Sequence, residues 1–251
     1  MTFQEIPQMN DRKVALIIGA GDATGGAIAR RFAREGFTVC LTRRTREPLE
    51  PLLQQIEGAG GKAFGFGSDA RIEAQVVSLF ETIERDIGPV EVLVFNIGGN
   101  VNFPIAETTE RVFRKVWEMC CLAGFLNARE AAKLMMVRGR GTILFTGATA
   151  SLRGGSGFSA FAAGKHALRA VAQSMARELG PKNIHVAHVV IDGGIDTAFT
   201  QQRNPERYAS LKPQDGILNP DAIADNYWNL HCQHRSAWTH ELDLRPWIEK
   251  W

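Results

Sequence analysis

Three groups of residues in this chain have types and spacings that could do chemistry. The first is "GAGDATGG", Gly19 to Gly26, which follows an apolar run and opens an amphipathic one. Backbone N–H groups left free at a helix start can hold a pyrophosphate, and small residues let the phosphates come close. Gly19, Gly21, Asp22, Ala23, Thr24 and Gly25 are the candidate cradle. The second is the pair Phe161 and Lys165 within "GGSGFSAFAAGKHALRAVAQSMARELG", Gly154 to Gly180. Phe161, Leu168, Val171, Ala172 and Met175 recur there at helical spacing, and residues four apart face the same way. An ammonium group can hold the hydroxyls of a nucleotide, but a phenyl ring neither gives nor takes a proton. The third is Arg43 and Arg44 in "TVCLTRR", where two guanidinium groups can grip one phosphate through paired charged hydrogen bonds.

The elements that must position these groups are legible as a repeating beat. Val14 to Ile18 is apolar at every position, as a parallel strand buried on both faces is. A helix over Thr24 to Glu35 and a strand over Thr38 to Thr42 follow. Next come a helix from Glu47 to Ile56, a strand Ala63 to Phe66, a helix Ile72 to Asp86 and a strand Val90 to Phe95. A helix from Glu110 to Val137, a strand Thr142 to Phe145, the helix bearing Lys165 and a strand His185 to Val190 complete the pattern. Strand alternating with helix at this interval predicts a doubly wound parallel α/β sheet, Rossmann-like, in a single domain over 1–251. Its ligand is expected at the carboxyl ends of the strands. Beyond Thr197 the chain turns polar and holds Pro205, Pro213 and Pro220, so a lid without regular structure is expected around 198–220. Asp221 reads as the N-cap of a helix through Ala222 to Leu230, and "THELDLRP" as a last strand ended by Pro246.

Composition narrows the function classes. With 251 residues and 45% hydrophobic content, one substantial core suffices. The formal charge of +2 comes from interspersed charges without a basic run, which speaks against nucleic acid and suits a phosphate-bearing small molecule. Cys40, Cys120, Cys121 and Cys232 show no CxxC spacing, so neither a disulfide framework nor a zinc site is expected, and a reducing cytoplasm is the simplest home. His231, Cys232 and His234 meet no metal template, and no metal is expected. His166 and His188 read as packing histidines. The lead "MTFQEIPQMNDRK" lacks an apolar signal region and no stretch reaches about 18 apolar residues, so a soluble chain without a membrane span is expected.

An NAD-preferring site would end its second strand in an acid for the ribose hydroxyls. Arg43 and Arg44 there favour the 2′-phosphate of NADP(H), with NAD(H) the alternative; Asp22 argues mildly the other way. Taken in order, the landmarks resemble the short-chain dehydrogenase/reductase family over about Lys13 to Thr197. The family's TGxxxGxG turn falls on Gly19, Ala23 and Gly25, with alanine in place of the middle glycine. Its NNAG falls on "NIGG", giving Asn96 and Gly98, and its PGxIxT on "DGGIDT", giving Gly193, Ile195 and Thr197 with Asp192 standing for proline. The resemblance also implies Asp69 and Ala70 beside the adenine, a small-molecule substrate, and a homodimer or homotetramer.

In that family a tyrosine exchanges the substrate proton, a lysine binds the nicotinamide ribose, a serine polarises the carbonyl and an asparagine holds a relay water. Only the lysine carries over, as Lys165. The other three positions fall on Phe161, Ala148 and Cys121, and the wider tyrosine spacing of the enoyl-reductase branch falls on Phe158. Replacements within reach are Thr149 or Ser151 beside the serine position, with Thr149 the better candidate, and Tyr208 from the lid. Two functions follow: an NADP(H)-dependent oxidoreductase acting on a small carbonyl, imine or activated alkene, or an NADP(H)-binding homologue without turnover that serves as a sensor or partner subunit. Trp247 and Trp251 on the short tail are expected to dock on a neighbour.

Overall fold

The computed structural model describes residues 13–250; the expectations for the lead as far as Arg12 and for Trp251 lie outside the described residues. Its frame is a parallel sheet of seven strands in the order β3-β2-β1-β4-β5-β6-β7. The strands are β1 Val14–Ile18, β2 Thr38–Arg43, β3 Lys62–Gly67, β4 Val90–Phe95, β5 Gly141–Thr146, β6 Ile184–Ile191 and β7 Glu241–Leu244. The chain steps outward from β1 to β3 and returns to β4 on the other side of β1, so a crevice opens where Ile18 pairs across to Phe95. No helix among the described residues is long and apolar enough to cross a membrane.

Helices close both faces because β1, β4 and β6 are buried along their whole length and offer no polar face to water. On one side α1 (Thr24–Arg34), α2 (Glu50–Gly58) and α9 (Pro220–Cys232) cover Ile17, Val39, Val94 and Val189. On the other, α3 (Glu73–Asp86), α5 (Ala123–Arg138) and α6 (Ser159–Leu179) cover Leu16, Leu93, Phe145 and Val186. Helices α5 and α6 approach closely at a glycine: a Cβ on Gly124 would stand 2.4 Å from Leu168 Cδ1.

Three expectations are corrected. The single helix foreseen over 110–137 is α4 (Glu110–Trp117) joined to α5 through a π turn, Glu118–Leu122, which inserts a residue at the cysteine pair. The segment after Thr197 is not irregular: α7 (Ala198–Arg203) and α8 (Pro205–Leu211) form there, capped by Thr197 and Asn204. The prolines that read as breakers sit at helix starts, where a missing N–H costs nothing. The cap of α9 is Asn219, whose side chain accepts from the Asp221 N–H, rather than Asp221 itself.

Fully buried His188 and partly buried His231 are held neutral by loss of water. His231 packs edge to face with Phe37 and accepts or donates at Nδ1 to Thr142 Oγ1, 3.0 Å away. His188 is fully buried on β6, and although Glu241 lies 3.1 Å from its Nδ1, loss of water outweighs that attraction. Burial pushes both imidazoles down to about 4. The unfolded chain therefore holds more protons between pH 4 and 6.5, and folding stability is lost as pH falls through that window, by on the order of 3 kcal/mol per histidine at full development. Thermal melts should show a Tm that is flat above pH 7 and declines from pH 6.5 to 5. His231→Phe should flatten that decline, and an unchanged slope would show that His231 is not buried neutral.

Candidate active site

The glycine turn, the strand ends and Lys165 meet at the carboxyl edge of the sheet. Gly19 has φ +86°, a left-handed conformation open to glycine, and a Cβ there would stand 3.0 Å from the Asn96 carbonyl oxygen. Asn96 Nδ2 donates to the Gly19 carbonyl at 3.2 Å, tying β1 to the end of β4. Gly25 is equally constrained, since a Cβ would meet Gly19 O at 2.7 Å. Ala23, in place of the family's middle glycine, sits at φ −102°, so its methyl group brings no left-handed strain.

Lys165 is only 2% exposed. Its Nζ donates to the Thr146 carbonyl at 2.7 Å and the Ile97 carbonyl at 3.1 Å, bridging the ends of β5 and β4. Desolvation holds its pKa below the usual lysine range. An ammonium has three donors, so one is left for the cavity it lines. Phe161 lies one turn earlier, its ring centroid 6.0 Å from Nζ, packed with Val116, Cys120 and Ala150.

Three cavities adjoin here. The first, about 600 Å³, runs from Gly19–Gly25 past Asn96 and Gly98 to Ala148, Thr149, Phe158, Phe161, Lys165, Gly193 and Ile195; no tyrosine lines it. The second, about 460 Å³, shares Gly19, Gly21, Asn96 and Gly98 with it and extends to Arg43, Arg44, Asp69, Ala70, Arg71 and Lys115. The third, about 870 Å³, lies under α7 and α8 and shares Thr149, Phe158, Gly193 and Ile195 with the first.

Polar atoms in this cleft lack protein partners. Thr24 Oγ1 and Ser68 Oγ are buried without a hydrogen bond, and each residue lines a cavity. Helix α1 has no side-chain cap and no acid in its first turn, leaving its N–H groups to an anion. Arg43 and Arg44 make no ion pair among the described residues. A dinucleotide with an added phosphate fits this donor set.

Residues 13–208 match the short chain dehydrogenase family. The chain belongs to that family. By family it is an oxidoreductase of the short-chain type. A 3-oxoacyl-[acyl-carrier-protein] reductase from Bos taurus is 30% identical over 194 residues, 77% of this chain and 80% of its own. The crystal structure of a short-chain dehydrogenase from Rhodopseudomonas palustris is 51% identical, with a TM-score of 0.81 over 96% of this chain and 100% of its own. An actinorhodin polyketide ketoreductase solved with NADPH has a TM-score of 0.85 at 24% identity, covering 94% of this chain and 97% of its own, a likeness of fold.

Within this short-chain dehydrogenase fold the sequence candidates separate. Gly19, Gly21, Asp22, Ala23, Thr24, Gly25, Asn96, Gly98, Gly193, Ile195, Thr149 and Lys165 line the first cavity, and Arg43, Arg44, Asp69 and Ala70 the second. Asp69 is already engaged: Arg71 binds it at 2.6 and 2.9 Å and holds its carboxyl below the usual range. Thr197 lines the third cavity, and its hydroxyl caps α7, accepting from the Thr200 N–H at 3.0 Å. Ser151 turns inward, its Oγ accepting from the Ala148 N–H at 3.1 Å. Cys121 is buried and lines none of the three cavities.

Neither tyrosine meets Lys165. Tyr227 is fully buried, its hydroxyl 2.7 Å from Thr146 Oγ1. Tyr208 lines only the third cavity, and its hydroxyl donates to Asp196 Oδ1 at 2.5 Å, which pushes its pKa up. Sequence reasoning missed Ser68, Arg71, Lys115 and Arg153 as lining residues; Ser68 and Arg71 follow the end of β3 and flank Asp69, while Lys115, within α4, gives no such signal. Asp192, noted only as a stand-in for proline, accepts a hydrogen bond from the Thr149 hydroxyl.

Tyr227→Phe should cost about 1–2 kcal/mol by orphaning Thr146 Oγ1, lowering Tm by roughly 2–8 °C. Affinity for any dinucleotide should stay within twofold; a large loss measured by calorimetry would show that Tyr227 shapes the cleft.

Proposed function

We propose that the chain is an NADP(H)-dependent oxidoreductase that transfers hydride to or from a small carbonyl, imine or activated alkene, with proton-handling residues other than the family's tyrosine, serine and asparagine. The observation that carries this is the buried ammonium of Lys165, fixed on two strand-end carbonyls with a donor facing the cavity. Such an ammonium is costly to bury, and its placement is accounted for by the ribose hydroxyls of a nicotinamide nucleotide. Arg43 and Arg44 would hold the 2′-phosphate, and Thr24 with the N–H groups of α1 the pyrophosphate. The bound nicotinamide supplies the hydride chemistry, and the chain supplies binding, orientation and exclusion of water.

Segment 198–220 is the lid in this proposal, closing the third cavity over a substrate. Tyr208 would hold that lid through Asp196 rather than deliver a proton. Phe113, Trp117 and Phe125 stand 38–42% exposed along α4 and α5, which fits assembly as a homodimer or homotetramer. Trp247, 76% exposed, keeps its indole N–H on the Gln214 carbonyl.

A second reading, an NADP(H)-binding sensor or partner subunit without turnover, is favoured by the apolar packing of Phe161. Absorbance assays of NADPH oxidation with carbonyls, imines and electron-poor enones separate the two: turnover with any class supports the enzyme. Silence across the panel together with tight NADPH binding supports the binder, more so if Phe161→Tyr with Ala148→Ser creates an activity.

The double variant Arg43→Ala, Arg44→Ala should weaken NADPH binding by about 10–100-fold, the loss of charged hydrogen bonds, and leave NADH within threefold. Calorimetric titrations showing equal losses for both nucleotides would remove the arginines from phosphate recognition.

A further inference from the structure

We propose that Thr149 and Asp192 form the pair that accepts the proton of a substrate hydroxyl, in place of the missing tyrosine. This rests on the reading of the chain as an NADP(H)-dependent oxidoreductase.

Thr149 lines both the cavity that holds Lys165 and the cavity under the lid, so its hydroxyl stands where the two meet. That hydroxyl has one proton, and it is given to Asp192 Oδ1, because an ion-paired carboxylate can only accept. What Thr149 turns to the cavity is therefore a lone pair. A lone pair receives an alcohol O–H and offers nothing to a carbonyl oxygen. Ala148, Phe158 and Phe161 add no polar atom, while Asn100 and Arg153 line the same two cavities and Lys165 the first.

The carboxylate is held for this task. Asp192 is 2% exposed, and its backbone N–H donates to the Leu244 carbonyl at 2.8 Å. The charged groups around it are Arg245, whose Nη2 lies 3.1 Å from Oδ2, and half-exposed Arg153 at 3.7 Å, with Asp243 and Glu249 behind Arg245. A proline at this position would bring none of this. The chain thus lacks a phenol at Phe161 and gains an acceptor pair on the facing wall.

The step balances. The alcohol O–H bond breaks and its proton passes to Thr149 Oγ1, as the proton of Thr149 passes to Asp192 Oδ1. The O–H electron pair becomes the second C–O bond, and the carbinol hydrogen leaves with its electrons to NADP⁺, giving ketone and NADPH. Asp192 then loses its proton to water past Arg153.

Thr149 is the catalytic residue here and Asp192 the positioning residue, and four measurements test them. Cyclohexanol and 1-phenylethanol are assayed with NADP⁺, and cyclohexanone and acetophenone with NADPH, at one fixed pH. Thr149→Val should lower kcat for alcohol oxidation by about 10²-fold or more, the usual worth of general base help, while Thr149→Ser stays within tenfold of the native rate. Asp192→Asn should lower kcat for alcohol oxidation by about 10-fold or more with KM within threefold, because an amide takes no proton, a split that a structural role alone would not give. Calorimetry should find the NADP⁺ Kd of all three variants within threefold of native. Native turnover with kcat of Thr149→Val or of Asp192→Asn within threefold of native overturns the pair and leaves the oxidoreductase standing. Native silence with all four probes overturns the pair as well, and the NADP⁺ titration of the same sample then tells whether the cofactor half also fails.

Discussion

The ammonium of Lys165 is the point on which the rest of this structure turns. It reaches the Thr146 and Ile97 carbonyls at the ends of neighbouring strands, so α6 can occupy only one position relative to β4 and β5. Moving a charged lysine out of water is expensive, and two carbonyl partners offset part of that cost. The same strand ends bear on everything nearby. Asn96 beside Ile97 holds the glycine turn, and Thr146 carries the Tyr227 hydroxyl on its side chain. Glycine turn, sheet and central helix are thus joined through one buried charge.

Around this node the cleft is asymmetric. On the side of the glycine turn, among the described residues, Thr24 Oγ1 and Ser68 Oγ have no hydrogen-bond partner, α1 has no side-chain cap, and neither Arg43 nor Arg44 makes an ion pair, a donor set suited to an anion. The reaction side is mostly apolar, with Phe158 and Phe161 facing the floor of the cavity. Its polar side chains include Asn100, Thr149 and Arg153, with Asp192 behind Thr149. Geometry here distinguishes donors from acceptors: Tyr208 and Thr149 are both hydroxyls, and both have their protons committed to carboxylates.

The segment after Thr197 shows how local rules combine. Thr197 and Asn204 cap two short helices that meet at a proline, and the tail packs beneath them, with Pro246 against Gly193 and Ile248 against Gly216. No residue of either short helix is buried, so the segment adds little to the core.

The sequence by itself determined the strand and helix order, the parallel sheet and the glycine turn at the strand ends. Continuous apolar runs and a glycine turn before a helix depend only on near neighbours in the chain. The π turn at Cys120 and Cys121 and the caps of α7 and α9 were less legible, since one inserted residue or a competing polar side chain leaves the apolar period nearly unchanged. The orientation of Ser151 and the commitments of Tyr208 and Thr149 were decided only by tertiary structure. Which way a hydroxyl points depends on a partner brought from afar, as Asp192 is brought to Thr149 by β6 lying beside β5. Residue spacing along one element does not contain that information.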